Sequence, residues 1–427
     1  MEVYLNNKLL RQVQTMKYLG IIIDSKLTFK EHITQATEKC RKIIFALSKS
    51  AKLNWGLSHK ALKILYTGGI QPLLLYGAPV WADIIEKISY RKKLTRVQRL
   101  INIKVAKAYR TVSNDALCII TGLTPIHIKI KETEELYKIV KGNRHKNLLI
   151  DHDKPPKQWL HPAARIITTD DKKEDLTPIN IYTDGSKSEK GVGAGIAITR
   201  QRTPTVKLMY RMDTRCTNNQ AEAFAILKAL EYLQTTQTNE EDKAATVHTD
   251  SRTTLDSIYN TDIHTFLIEE IRQKVQEMEN REWKIRFMWI KAHAGVSGNE
   301  LADKLAREES GKTDIPISYN RIPRSVIKRD LEATSVEIWQ REWETTNKGR
   351  ITKDYFPKVA ERLHAKIHLT QNFTTMVTGH GNIKAYLYRF KIIEAPNCPC
   401  GNDNQTAEHI LLECAILKED RERLIAQ

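Results

Sequence analysis

Four acidic residues in the middle of the chain lie where neighbouring structural elements would bring their side chains together. Asp184 ends one pattern of alternating apolar residues, and Asp250 ends another. Glu222 lies in the first turn of a predicted helix, on the same apolar stripe as Ile226, so it would face a sheet. Asp303 lies in a later predicted helix. The sequence therefore predicts a cluster of four carboxylates.

Each acid has an ordinary alternative when it is taken alone. Asp184 could belong to a turn, Glu222 to a capping box and Asp250 to a helix N-cap, and Asp303 could be a surface acid. Four converging carboxylates would repel one another unless cations neutralised them. Hard oxygen ligands suit Mg²⁺ or Mn²⁺, and two such ions support in-line displacement at a phosphate. Together, the four acids indicate phosphoryl-transfer chemistry.

Residues 179–310 contain the elements that must position these acids. Three strands with hairpin-sized connections are predicted first, and strands that alternate with helices follow. The predicted order is β-β-β-α-β-α-α-β-α. It indicates an α/β fold with a mixed five-stranded sheet and helices on both faces. If the first and fourth strands are parallel neighbours, Asp184 and Asp250 emerge at the same edge of the sheet.

Four segments of this region resemble the motifs of the ribonuclease H family, in the same order. They are IYTDGS at 181–186, TNNQAE at 217–222, HTDS at 248–251 and WIKAHAGVSGNELAD at 289–303. The resemblance covers about 130 residues and implies cleavage of the RNA strand of RNA·DNA hybrids. It implies that Asp184, Glu222, Asp250 and Asp303 bind two Mg²⁺ or Mn²⁺ ions.

The same resemblance implies roles for further residues. His293 would assist proton transfer or product departure, and Ser186, Asn218, Asn219 and Gln220 would contact the RNA minor groove and its 2′-hydroxyls. In one respect the chain departs from many cellular members of the family. Only two helices fit between Asp250 and Trp283, so the additional basic helix that those members carry is missing. The grip on a substrate would then have to come from elsewhere in the chain.

The N-terminal third supplies a large positive charge. Lys and Arg number 27 and Asp and Glu number 10 in residues 1–150, a difference of +17, whereas the remaining 41 basic and 41 acidic residues balance. This asymmetry predicts a polyanionic partner, with nucleic acid first and an acidic membrane surface second. We find no pattern of a signal peptide or a transmembrane segment, and expect an intracellular protein, nuclear or cytoplasmic.

Residues 1–150 also resemble the region that follows the polymerase palm in reverse transcriptases of non-LTR retrotransposons. The similar segments are KYLGIIID at 17–24, the helix after His32, YGAPVW at 76–81, Gln98 and IITGL at 119–123. Polymerisation requires an Asp-Asp pair on a strand turn, but the one such pair, Asp170-Asp171, lies in a polar stretch. The chain therefore resembles a C-terminal fragment of a jockey-like polyprotein without its polymerase site.

The remaining segments are a predicted linker, 151–178, and a predicted helical block, 311–427. In the helical block, we expect Trp339, Trp343, Tyr355 and Phe356 to be core residues. Near its end, Cys398, Cys400, His409 and Cys414 form a Cys-x-Cys-x8-His-x4-Cys pattern. Its second half resembles zinc knuckles, so we predict one Zn²⁺, with a purely structural cysteine cluster as the alternative.

Two hypotheses for the function remain at this point. The first is a metal-dependent endonuclease specific for RNA·DNA hybrids, joined to a basic remnant of a reverse transcriptase. The second is a catalytically silent remnant that only binds nucleic acid. The presence of all four acids favours the enzyme.

Overall fold

The computed structural model describes most of the chain. The described residues are 4–9, 12–50, 57–142, 149–154, 177–200, 203–236, 243–260, 262–312 and 315–426. They form two compact units. One unit is continuous and comprises Asn143–Arg329, and the other combines Met1–Gly142 with Asp330–Gln427.

A five-stranded mixed sheet forms the centre of the continuous unit. Its strands are β1 (Ile179–Lys187), β2 (Val192–Arg200), β3 (Thr203–Met212), β4 (Ala244–Thr249) and β5 (Lys284–Trp289). The order across the sheet is β5-β4-β1-β2-β3. Short connections make β1, β2 and β3 antiparallel, whereas helical crossovers make β4 parallel to both β1 and β5. The predicted sheet is therefore confirmed.

Four helices accompany the sheet in the predicted order. They are α1 (Asn218–Thr235), α2 (Arg252–Tyr259), α3 (Phe266–Glu279) and α4 (Ser297–Ser310). Helix α1 begins with a complete capping box between Thr217 and Gln220. Ile181 and Ile196 of the sheet share a core with Phe224, Ile226 and the rest of the apolar side of α1.

Helix α4 packs on the opposite face of the sheet, and glycines permit its close approach. A Cβ atom at Gly195 of β2 would lie 2.2 Å from the carbonyl oxygen of Ala302, and one at Gly193 would lie 2.3 Å from that of Ala306. No real Cβ contact is that short, so the backbone of α4 rests directly on β2. This contact fixes the distance between the sheet and α4, the helix that carries Asp303.

The segments on either side of the five-stranded sheet form two small two-stranded sheets of their own. Ile150–Asp151 pairs with Ile322–Pro323, and Asp153–Lys154 pairs with His264–Thr265. The Asp151 carboxylate is buried and accepts a hydrogen bond from the side chain of Gln220 at 2.7 Å. Residues 151–154 of the predicted linker are therefore strands of the continuous unit, and residues 155–176, with Asp170-Asp171, lie outside the described residues. Polar composition did not reveal pairing between segments so distant in sequence.

The other unit is mainly helical and joins the two ends of the chain. Two hairpins pair Tyr4–Leu5 with Lys8–Leu9 and Thr15–Tyr18 with Ile21–Asp24. The helices of the N-terminal part are Lys30–Ser50, His59–Leu65, Tyr66–Ile70, Gln71–Leu75, Ala78–Trp81, Ala82–Glu86, Ile88–Ala106, Asn114–Thr121 and Ile126–Lys141. Those of the C-terminal part are Arg324–Thr345, which begins before Asp330, and Arg350–Tyr355, Val359–His364, Gln371–Thr378, Lys384–Arg389, His409–Glu413, Ala415–Leu417 and Lys418–Ile425. Among the described residues, no helix combines the length and the apolar composition needed to cross a lipid bilayer.

One core unites the N-terminal and C-terminal parts of this unit. Trp339 and Trp343 are buried among residues such as Leu117 and Ile120, and Phe356 packs at the edge of the same cluster, whereas Tyr355 is exposed. The sequence predicts that residues 1–150 and 311–427 are separate blocks. The structure instead groups 1–142 with 330–427, because the apolar faces of their helices cover each other.

Replacing Gly195 with alanine should destabilise the continuous unit. The new Cβ must displace the backbone of α4, and such overpacking costs about 1–3 kcal/mol. Chemical denaturation measures the change, and hydrogen exchange in β2 and α4 localises it. Gly68→Ala is the control, because no atom lies within 4 Å of the added Cβ there. Equal stability of the two variants would contradict the packing argument.

Candidate active site and metal centres

The register of two parallel strands places Asp184 beside Asp250. Thr249, the last residue of β4, pairs with Thr183 of β1, so the next residue of each strand continues at the same level. The sequence predicted that β1 ends at Asp184, but β1 continues to Lys187 because its other edge still pairs with β2. Asp184 therefore lies within a strand and Asp250 just beyond one.

Glu222 joins the two aspartates from helix α1. A Cβ at Gly185 would lie 2.6 Å from the backbone nitrogen of Glu222, so the glycine allows the first turns of α1 to touch β1. Glu222 is 4% exposed and Asp184 is 7% exposed. One carboxylate oxygen from each of Asp184, Glu222 and Asp250 can be chosen so that all three lie within 4.8 Å of one another.

Burial and mutual repulsion raise the pKa values of all three carboxyl groups. Burial, followed by the charges of Asp250 and Asp303, raises the pKa of Asp184 to about 7. Burial and the charges of Asp184 and Asp250 raise the pKa of Glu222 well above its ordinary value. The pKa of Asp250 is also raised, mainly by burial, although the nearby His293 opposes the rise. The cluster therefore holds its negative charge at a cost that a cation would remove.

Asp303 and His293 lie at the margin of this cluster. Asp303 does not belong to the set of three close carboxylates. Its carboxylate forms an ion pair with Arg307, one turn further along α4, with 2.7 Å between Oδ1 and Nε. Its charge nevertheless acts on both Asp184 and Asp250. His293 is an exposed residue of the loop between β5 and α4, with a positive φ of 52°.

The three clustered acids have the properties of a site for a hard divalent cation. All their donors are carboxylate oxygens, which Mg²⁺ and Mn²⁺ prefer. Oε2 of Glu222 is buried and has no hydrogen-bond partner among the described residues. Its other oxygen accepts a long, 3.4 Å hydrogen bond from Asn218. A buried oxygen without a partner is costly, and a bound cation would satisfy it.

The predicted substrate-binding residues separate into two groups. Ser186 is half-buried and lies two residues beyond Asp184 on β1, hence on the same face, while Asn218 and Asn219 are exposed at the start of α1. Gln220 is different. Its side chain is buried, and it donates hydrogen bonds to Asp151 and to the backbone oxygen of Arg321. The structure thus places Gln220 in the internal framework.

Two residues beside the acids were not identified from the sequence. Trp289, the last residue of β5, is 40% exposed, and its indole N–H donates to the backbone oxygen of Asp250 at 3.0 Å. The guanidinium of Arg252 lies 5.8 Å from the Trp289 ring. The sequence does predict a strand that ends at Trp289, and the structure shows that this strand is parallel to the one that precedes Asp250. That position could have identified Trp289 as a neighbour of the acids.

The other unit contains a second cluster of metal-binding side chains, with softer donors. Ligand atoms of Cys398, Cys400, His409 and Cys414 all lie within 4.8 Å of one another. The sulfur atoms of Cys398 and Cys414 are 3.7 Å apart, and Sγ of Cys400 is 3.2 Å from Nε2 of His409. Four donors around a tetrahedral zinc ion would be about 3.6–3.8 Å apart, given the usual bond lengths.

A π-helical turn brings His409 and Cys414 to the same side. In a regular α-helix, residues five apart point in different directions, so His409 and Cys414 could not both face one ion from such a helix. The structure has a π-helix over His409–Glu413, closed by a 2.7 Å hydrogen bond from the N–H of Cys414 to the oxygen of His409. The backbone N–H of Asn402, and then the neighbouring donors, lower the pKa of the Cys400 thiol to about 6, which favours the thiolate that binds metals.

Comparison with known proteins assigns the continuous unit to a family. Residues 177–311 match the family model described as RNase H. A protein named ribonuclease H, from Neorickettsia sennetsu, is 31% identical over 155 residues, which cover 30% of this chain and 91% of that protein.

Other relatives are proteins of type-1 retrotransposable elements. The chain is 32% identical over 130 residues to a 115 kDa protein of element R1DM from Drosophila melanogaster. It is 30% identical over 142 residues to a retrovirus-related Pol polyprotein of element R1 4 from Nasonia vitripennis. The matches cover 30% and 33% of this chain, but 13% and 36% of those relatives, so the chain corresponds to a minor part of their length.

Magnesium should bind this protein more tightly at pH 8 than at pH 6. Protons and cations compete for the same carboxylates, and Asp184, with a pKa of about 7, is mostly protonated at pH 6 and mostly ionised at pH 8. This one group accounts for a roughly tenfold rise in affinity, because each pKa unit is a factor of ten. Isothermal titration calorimetry with Mg²⁺ at both pH values measures the change. Equal affinities would show that the carboxyl groups are already ionised at pH 6.

Proposed function

Because the chain belongs to the ribonuclease H family through residues 177–311, we propose that this unit hydrolyses the RNA strand of RNA·DNA hybrids in a metal-dependent reaction. The observation that carries the proposal is the convergence of Asp184, Glu222 and Asp250, with one buried oxygen of Glu222 unsatisfied. A fold alone would not specify the chemistry, but this donor set does.

In the proposed mechanism, Asp184, Glu222 and Asp250 hold divalent cations, with Asp303 contributing from the margin. Two Mg²⁺ or Mn²⁺ ions held by these carboxylates would supply activation of a water molecule for attack on the phosphodiester and stabilisation of the leaving 3′ oxygen. Ser186, Asn218 and Asn219, which lie near the acids, position the RNA strand through its minor groove and 2′-hydroxyls. The imidazole of His293, in the exposed loop, transfers a proton or assists product departure.

We propose that the helical unit supplies the grip on nucleic acid. All of the chain's excess positive charge lies in residues 1–150, and many of these cations lie on the helix Ile88–Ala106. Positive charge of this density binds phosphates without reading sequence. The resemblance of this region to retrotransposon reverse transcriptases and the relatives from R1 elements support a function alongside reverse transcription. We further propose that this chain lacks the polymerase site.

Asp250→Asn should abolish cleavage while hybrid binding persists. The change removes one negative charge from the cation site, and a loss of about 2.7 kcal/mol of transition-state stabilisation already lowers the rate about a hundredfold. Cleavage of a labelled RNA·DNA hybrid in Mg²⁺ measures the effect. Asp256→Asn, an exposed acid on the neighbouring helix α2, is the matched control and should cleave normally. Near-normal cleavage by Asp250→Asn would refute the mechanism, and binding without any Mg²⁺-dependent cleavage by the unaltered chain would favour the silent remnant.

We also propose that Cys398, Cys400, His409 and Cys414 hold one zinc ion. Three thiolates and an imidazole make a closed site of the structural type, in which the metal stabilises the local fold. The backbone supports this geometry, since the N–H of Gly401 donates to the oxygen of Cys398 at 3.0 Å and closes the turn that presents both cysteines.

Protein prepared with zinc under reducing conditions should contain about one zinc per chain. Cys414→Ser should lose that zinc, whereas Cys40→Ser, at a buried cysteine outside the cluster, should retain it. Elemental analysis measures the content. Hydrogen exchange should show that chelation loosens residues 384–426 and leaves the five-stranded sheet protected. Absence of zinc from the unaltered protein would rule out the site.

A further inference from the structure

The helical unit contains a cavity of about 330 Å³ that is rich in basic side chains. It lies between the helix His59–Leu65, the end of the helix Asn114–Thr121 and the segment 362–369. Its basic lining residues are His59, Lys60, Lys63, Arg362, Lys366 and His368. Among the described residues, its lining includes neither a carboxylate nor a phenylalanine, tyrosine or tryptophan. The cavity therefore has an excess of positive charge, and the aromatic rings of its described lining are those of His59 and His368, which pack edge to face with their centroids 5.1 Å apart.

Part of this charge has a structural use. Nζ of Lys63 donates to the backbone oxygen of Thr121 at 3.1 Å, and the guanidinium of Arg362 donates to that of Ile120. These bonds satisfy the last carbonyl groups of a helix, whose end carries about half a negative charge. Lys60, Lys63, Arg362 and Lys366 carry four formal positive charges, so helix capping neutralises only a small part of them.

The rest of this charge has no acidic partner in the described part of the chain, although the guanidinium of Arg362 lies 5.5 Å from the ring of Phe356. None of the four cations lies within 4.0 Å of a carboxylate there. Arg362 is 7% exposed, yet its Nε–H has no hydrogen-bond acceptor among the described residues. A buried donor of this kind is costly unless a ligand accepts its hydrogen bond. Burial and the positive charges around it lower the pKa of His59, as expected in a positive potential.

We propose that this cavity binds a phosphate group of a nucleic-acid backbone. Phosphate oxygens suit guanidinium and ammonium donors, and because the two histidine rings of the lining pack against each other, its four cations favour the backbone over a base. The surrounding N-terminal region carries the charge excess expected of a nucleic-acid surface. The choice of nucleic acid as the source of the phosphate rests on the function proposed above. The chemical fit of the cavity to a phosphate group does not depend on that function.

The test compares full-length chains in which only charge is changed. Lys60→Gln/Lys366→Gln removes two exposed charges from the cavity, and Lys60→Arg/Lys366→Arg retains them. Lys358→Gln/Lys418→Gln removes two exposed charges of the same unit outside the cavity. Affinity for an RNA·DNA hybrid is measured without Mg²⁺ at several salt concentrations. Neutralising the cavity should weaken binding roughly tenfold at 0.1 M salt and flatten the log–log salt slope by about one to two.

The arginine variant and the control should retain the slope of the unaltered chain. With a strand whose linkages are uncharged methylphosphonates, the unaltered chain should lose its advantage over the glutamine variant. An advantage that persists there would overturn the proposal, as would equal slopes for the glutamine and control variants. So would inorganic phosphate binding that depends on Lys60 and Lys366 while hybrid binding does not. Because no cleavage is measured, a chain that binds but never cleaves would refute the proposed nuclease and leave this inference standing.

Discussion

The central constraint on the nuclease unit is the confinement of three carboxyl groups, whose oxygens lie within 4.8 Å of one another in a largely buried site. Burial, and after it the like charges of the neighbouring carboxylates, raises the pKa values of Asp184 and Glu222, so the ionised cluster destabilises the fold that holds it. The arrangement persists because the elements that carry the acids are held by other contacts. These are the parallel pairing of β1 with β4 and the contact of α1 with Gly185.

The framework around the acids explains why the flanking segments belong to the same unit. Gln220 caps α1 two residues before Glu222 and is held by the buried carboxylate of Asp151. Asp151 also accepts a hydrogen bond from the backbone N–H of Phe266 at 3.2 Å. One buried acid therefore joins the segment before the sheet to α1 and α3. A residue that the sequence resemblance assigned to the substrate instead fixes the helix that presents a proposed metal ligand.

The two candidate metal sites differ in the chemistry of their donor atoms. The acids of the nuclease unit offer hard oxygens at the edge of an open sheet, the arrangement of a catalytic site with room for substrate. The cysteines and histidine of the helical unit offer soft donors in a set that four protein ligands complete, the arrangement of a structural site. The nuclease acids are positioned by long-range sheet pairing, whereas the sulfur ligands depend on a local turn and a π-helix.

The sequence by itself determined the element order of the continuous unit, its mixed sheet and the three acids that cluster, whereas it also predicted Asp303 in the cluster and the structure leaves that residue at the margin. Those features depend on local periodicity and on residue types at short spacing, which a linear pattern records. Only the tertiary structure decided that β1 extends past Asp184, that Gln220 is internal and that residues 1–142 and 330–427 share one core. It also decided that Lys60, Lys63 and Arg362 line one cavity. Each of these depends on contacts between residues far apart in sequence, and their energies come from burial and pairing that no local pattern contains.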